Sequence, residues 1–212
     1  MTSLSFEATS ARVETYAAVP TLMLRLRITE ADGRPVHALV LRCQIMIEPQ
    51  RRVYKADEEE RLLEMFGETP RWGDTLRPFL WTHASATVSG FSGQTEIELP
   101  ITCTYDFEVA GAKYLHALDD GEIPLSLLFA GTMFTRGEAG FTAEPVAWNE
   151  DASFRLPVQT WRDVMNHYFP GGGWLRVNRG TIDALQRYKV ARALRTWEDA
   201  FEQLLKEAGE ET

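Results

Sequence analysis

TEIELPITCTYDFEV, residues 95–109, is the stretch on which the fold turns. Ile97, Leu99, Ile101, Cys103, Tyr105, Phe107 and Val109 fall on every second position, and Glu96, Glu98, Thr102, Thr104, Asp106 and Glu108 fill the gaps. Side chains of a strand alternate between faces, so this pattern buries one face and wets the other. On a helix the same apolar residues would be scattered around the circumference. The stretch is expected to be a core strand of an antiparallel sheet. It should bend near Pro100 or lie at a sheet edge there, because proline has no amide to donate to a ladder.

The same period recurs upstream. Leu22, Leu24, Leu26 and Ile28 share one face, with Met23, Arg25 and Arg27 on the other, and Leu39, Leu41, Cys43, Ile45 and Ile47 point inward over residues 36–48. Between these runs Glu30-Ala31-Asp32-Gly33 reads as a hairpin turn, since Asp-Gly tolerates positive backbone angles. Further strands are expected over 4–12, 84–88, 123–134 (with a bulge at Gly131), 141–148 and 154–156. Residues 57–60, all acidic, suit the first turn of a short helix that Gly67 ends. TPRWGDTLRPFLWTH, residues 69–83, is too irregular for one element and is expected to be a packed loop over one end of a sandwich.

From Val158 the period becomes helical, through Trp161, Val164, Met165 and Tyr168. Pro170 and Gly171 to Gly173 stop that run, and Leu175 and Val177 then alternate. Asn178 opens a helix with Ile182, Leu185 and Tyr188 in one stripe. Thr196, answered by Asp199, caps another that buries Trp197, Phe201, Leu204 and Leu205 and ends at Gly209. The expected class is mainly β with a helical C-terminus (α+β). An antiparallel β-sandwich would occupy residues 1–157, followed over 158–212 by a helix, a short strand and two helices.

Composition narrows the function classes. The chain has 212 residues, 44% apolar and 25% charged, which are ordinary globular values. No apolar run approaches the roughly 20 residues that cross a bilayer, and MTSLSFEATSARVE lacks the basic flank and apolar core of a signal peptide. A cytoplasmic protein with no membrane insertion is expected. The net charge of −9 disfavours a surface wrapped by nucleic acid. Residues 174–195 run against that average, with Arg176, Arg179, Arg187, Lys189, Arg192 and Arg195 facing only Asp183. Cys43 and Cys103 sit on apolar phases and read as buried free thiols rather than a disulfide. Two separated cysteines and four scattered histidines give no thiolate metal set, and no cofactor is expected.

No catalytic constellation emerges. Asp119, Asp120 and Glu122 surround Gly121 without the one-three-five spacing of a calcium loop, and read as a hydrated turn. His83 ends the aromatic stretch with Ser85 and Asp74 near it in sequence, but no nucleophile elbow is present. It is nonetheless the best histidine for a small-molecule or enzymatic site. The candidate partner-binding residues are Trp72, Phe79, Trp81 and His83 in the aromatic stretch, and Trp174, Arg176 and Asn178 near the C-terminus, since tryptophan and arginine favour interface centres.

Two resemblances add to this. WLRVNRGTIDALQRYK and the helix after it, residues 174–208, resemble the ribbon-helix-helix module of small DNA-binding proteins. The resemblance implies that Leu175 and Val177 face the helices and that Trp174, Arg176 and Asn178 face DNA; it makes a DNA-binding regulator one alternative function. Across nearly the full length, LRCQIMIEPQRRVY (41–54), RWGDTLRPFLWTH (71–83), CTYDFEVAGAKYLHAL (103–118), GEIPLSLLFAGTMF (121–134) and WLRVNRGTIDALQRYK (174–189) resemble an uncharacterised actinobacterial family. Members of that family tend to be encoded beside uptake [NiFe]-hydrogenase genes. The resemblance implies a non-enzymatic accessory or protein-interaction role, with a hydrogenase or maturation subunit as partner, and is compatible with a homodimer.

Overall fold

The alternating stretches become strands in the computed structural model, which describes residues 4–104, 106, 109–137, 140–147, 150–172 and 175–210. Strands β1 (Leu4–Val13), β2 (Thr21–Glu30) and β3 (Val36–Ile47) are followed by the short helices α1 (Ala56–Arg61), α2 (Leu63–Phe66) and α3 (Trp72–Thr75). Then come β4 (Phe79–Phe91), β5 (Gln94–Thr102), α4 (Ala110–Ala117), β6 (Glu122–Gly137), β7 (Gly140–Pro145) and β8 (Asp151–Pro157). Helices α5 (Val158–Tyr168), α6 (Arg179–Ala191) and α7 (Trp197–Ala208) complete the chain. One sheet has the order β1-β2-β5. The other runs β4-β3-β6-β7, with β8 also paired to β6, and every pairing is antiparallel.

The inward phases of β2 and β3 form the core. Leu22, Leu24, Leu26, Ile28, Leu39, Leu41, Ile45 and Ile47 are all but inaccessible, and each such side chain contributes about 1.5–3 kcal/mol by leaving water. Phe6 of β1 stacks on Phe129 of β6 at 4.1 Å between ring centroids, joining the two sheets. On the wet face of the first sheet, Arg12 bonds Glu98, and Arg27 bonds both Glu7 and Glu96 across three strands. These exposed pairs favour the register more than they add stability.

Three expectations change. The 95–109 stretch is not central: β5 ends at Thr102 and is an edge strand of its sheet beside β2, the edge position being one of the two expected around Pro100, which stands opposite Met23. Tyr105, Phe107 and Glu108 lie outside the described residues. The Asp32-Gly33 turn is not a hairpin, because β2 and β3 belong to different sheets. The Glu30 carboxylate accepts bonds from the amides of Asp32 and Arg34, at 3.2 and 2.8 Å, and so folds the loop into a corner between sheets. Gly131 is not a bulge, since the ladder runs unshifted through Arg42–Ala130, Leu41–Gly131 and Val40–Thr132.

By compactness the chain divides into Met1–Trp174 and Leu175–Thr212. Helix α5 belongs to the first unit, where Val158, Trp161, Val164 and Met165 are buried and the Tyr168 hydroxyl donates to the carbonyl of Glu14. The break in compactness therefore follows α5 rather than preceding it. No described helix is long and apolar enough to cross a membrane. Cys43 and Cys103 are free and buried, and burial pushes both thiols up to about 12. Only the thiolate reacts, so neither cysteine should react with Ellman's reagent at pH 8 until the chain unfolds. Rapid release of one equivalent from the native protein would contradict this burial.

Candidate functional site

The aromatic stretch divides in two. Trp72 packs edge-on to Tyr54 at 5.2 Å and to Phe66 at 6.3 Å, and its indole donates to the Gly67 carbonyl at 2.8 Å. Phe79 meets Phe66 and Tyr114. Beneath them the Tyr54 and Tyr114 hydroxyls bond at 2.8 Å; burial raises both phenols, Tyr114 up to about 12. Trp72, only 9% exposed, and Phe79 are thus engaged in the core and leave little surface for a partner. Trp81 is partly buried against the core beside Gly111, where a Cβ would stand 2.8 Å from the indole.

His83 is different. It is not in a loop but on β4, pointing outward next to Gln44 of β3. The ladder sets four outward rows side by side across β4, β3 and β6: Leu80–Met46–Ser126, His83–Gln44–Leu128, Ser85–Arg42–Ala130 and Thr87–Val40–Thr132. Arg42, His83, Ala84 and Ser85 line a depression of about 370 Å³. Among the described residues no hydrogen bond links His83 to Ser85 or Asp74, so the sequence neighbours do not assemble as nucleophile, base and orienter. Val40, Leu80 and Leu128 are half-exposed around this depression, which gives a mixed sheet face suited to a contact.

The acidic turn is clamped by cations. Asp119 bonds Arg61 at 2.7 Å and lies 3.6 Å from Arg162, and its carboxyl is held below its usual value chiefly by the Arg61 hydrogen bond. Asp120 bonds Lys55 at 2.6 Å. Behind the turn Arg52 donates to the carbonyls of Asp120 and Glu122 and pairs with buried Glu58. Nearby, burial and the charges of Arg162 and Arg61 lower the His116 imidazole. Among the described residues no group of three or more His, Cys, Asp or Glu side chains is placed to hold a metal ion.

Residues 175–210 contain a helical hairpin. Thr196 and Asp199 form the expected capping box of α7, and Gly209 ends it in the left-handed conformation. Just past the end of α6 the chain turns at Ala193, φ 54, and the Leu194 amide returns to the Lys189 carbonyl at 3.0 Å. Arg192 bonds Glu207 at 2.8 Å across the two helices, and Lys189 lies 5.7 Å from the Trp197 ring. What the hairpin lacks is a core, because Ala200 is its only buried side chain among the described residues. Ile182, Trp197, Phe201 and Leu205 remain 39–44% exposed, and Leu175 and Val190 about two-thirds. Trp197, Phe201 and Leu205 recur every fourth residue and so form one stripe along α7.

The expected short strand does not appear. Leu175, Arg176 and Val177 are outside any strand, and Arg176 and Asn178 are exposed. Trp174 lies outside the described residues. Asn178 stands at the start of α6 as expected, but its side chain makes no cap bond. The stripe on α7 was visible in the sequence, where it looked like a buried face; the structure leaves it open.

No curated protein matches the sequence. Among solved structures, a β-glucosidase from Kluyveromyces marxianus is similar over 73% of this chain at 5% identity and a TM-score of 0.26, and the chain spans only 15% of that enzyme. A proposed late embryogenesis abundant (LEA) protein is similar over 73% of this chain and 72% of its own length, at 14% identity and a TM-score of 0.30. β-Glucosidase 3B from Thermotoga neapolitana matches 73% of this chain and 17% of its own, at 13% identity and a TM-score of 0.23. Scores this low transfer neither fold nor function. The profile of one family spans residues 1–212, and the chain belongs to that family of unknown function, DUF6084.

Proposed function

We propose that this protein is a non-enzymatic accessory module that works by binding other protein surfaces, a cytoplasmic component of a [NiFe]-hydrogenase system. The observation that supports the reading best is the open stripe Trp197, Phe201 and Leu205 on a hairpin with almost no core of its own. Large apolar side chains, half-exposed and rimmed by charge, mark a surface that is covered in use. The rest of the molecule agrees with this. The sheet face around Arg42 and His83 offers a second contact area. The hydrogenase connection rests on the full-length resemblance described above.

The test is affinity capture of the tagged full-length chain from its native host, beside the variant Phe201→Asp/Leu205→Asp. Recovery of a hydrogenase or maturation subunit with the wild type, reduced about tenfold or more in the variant, is expected if these residues anchor the contact. Wild-type protein that brings down no such subunit would remove the hydrogenase assignment.

A further inference from the structure

We infer that the α6–α7 hairpin pairs with the same hairpin of a second copy of this chain, apolar stripe against stripe, with the basic α6 of each copy against the acidic α7 of the other. This rests on the reading of the hairpin as a docking element and names a second copy as the occupant of the stripe; a hydrogenase or maturation subunit then meets the paired copies, and loss of the pair weakens its capture. Size gives the first reason. A segment of fewer than about 40 residues rarely builds a sufficient core alone, and this one buries Ala200 only, among the described residues.

Charge selects the partner. Residues 175–212 carry seven basic and seven acidic side chains, so the whole net charge of −9 lies in residues 1–174. Two copies approaching through residues 1–174 repel each other on net charge; the hairpin carries no such penalty. Within it the signs are segregated. Six of the seven basic residues precede Thr196, and six of the seven acidic residues follow it. A surface neutral in sum but divided in sign is complementary to itself under a two-fold rotation, because each half then meets its opposite. A nucleic acid would meet the acidic α7, and a uniformly charged protein would be repelled by one helix.

The charges needed for this are unspent. Arg192 and Glu207 satisfy each other inside the hairpin. Arg179 and Arg187 on α6, and Glu198 and Glu202 on α7, form no ion pair among the described residues. In a symmetric pair, arginines of one copy and glutamates of the other rim a shared apolar centre built from Ile182, Trp197, Phe201 and Leu205.

Sedimentation equilibrium of the full-length chain tests this. The wild type is expected to be a dimer, and Phe201→Asp/Leu205→Asp a monomer with at least about tenfold weaker association. Two charge-reversed chains, Arg179→Glu/Arg187→Glu and Glu198→Lys/Glu202→Lys, should each associate weakly alone and form dimers when mixed. That recovery also shows that both variants fold. A wild type that stays monomeric at about 100 μM, far above the micromolar range of specific pairing, overturns the inference. So does a dimer indifferent to all three variants, or a monomer in which Phe201→Asp/Leu205→Asp lowers the melting temperature of residues 1–174, since the stripe then packs on its own chain. If host capture depends on Phe201 and Leu205 while the purified chain is monomeric, the second copy is wrong and the docking reading stands. If neither dimer nor Phe201-dependent capture is found, both fall.

Discussion

Gly131→Ala should cost the sandwich about 3 kcal/mol or more and lower the melting temperature by roughly 6–12 °C. A Cβ on Gly131 would stand 2.1 Å from the carbonyl oxygen of Val40 and 3.1 Å from its carbonyl carbon. These are backbone atoms of β3, so no rotamer change relieves the overlap; β3 and β6 must part or twist. The position explains the close approach. β6 pairs with β8 as far as Leu128 and with β7 from Thr132, and Gly131 lies in the seam where one outer neighbour gives way to the other. There the backbone of β6 lies close against β3, and only glycine permits that distance. Gly73, which has no atom within 4 Å of an added Cβ and no positive φ, is the control. Gly73→Ala in α3 should be neutral or slightly stabilising. Thermal unfolding followed by circular dichroism decides, and a Gly131→Ala transition within 2 °C of wild type would refute the steric account.

How much of this was legible depends on what kind of information a position carries. The alternations at residues 22–28 and 36–48 gave the core faces of β2 and β3 correctly, because burial of one face leaves a period-two trace in residue type. The same trace at 95–109 was over-read. Alternation reports that one face is covered, not how many strands flank the backbone, and β5 turns out to be an edge. Residues 79–83 were hidden for the opposite reason. The ladder of β4 slips between Ile45 and Met46, placing Trp81 as an extra residue, and one inserted residue erases a period of two. His83 therefore read as the end of a loop when it sits mid-strand beside Arg42 and Gln44. The contact face around it was illegible because its members come from β3, β4 and β6, and only register brings them together. On α7 the helical stripe was plain, but a stripe shows that something covers it and not what.

Glu58 is the clearest case of a residue whose role the sequence concealed, and its replacement is the second large effect expected. Read as one of four acids solvating a helix start, it is instead fully buried, while the side chain of its partner Arg52 is 7% exposed. Its Oε1 accepts from Arg52 Nη2 at 2.6 Å and from the amide of Asp119 at 2.8 Å; its Oε2 accepts from the backbone amide of Lys55, just before α1, at 3.1 Å. One carboxylate thus ties α1 to the turn before β6. Glu58→Ala leaves the amides of Lys55 and Asp119 without this acceptor and the buried Arg52 guanidinium without its counter-charge, and should cost about 3–5 kcal/mol. Glu58→Gln keeps the shape and one acceptor oxygen but removes the charge, and should fall between wild type and alanine. Among the described residues Arg52 Nε has no acceptor, so the pair is incompletely compensated there. For that reason Arg52→Met/Glu58→Met should cost less than the sum of its two single changes, since removing both charges together leaves neither one buried alone. Urea unfolding of the wild type, Arg52→Met, Glu58→Met and the double variant measures the coupling. Strictly additive costs, or a Glu58→Ala loss below about 1 kcal/mol, would mean that water reaches this pair and that the two segments are held together by packing around Tyr54 and Tyr114 instead.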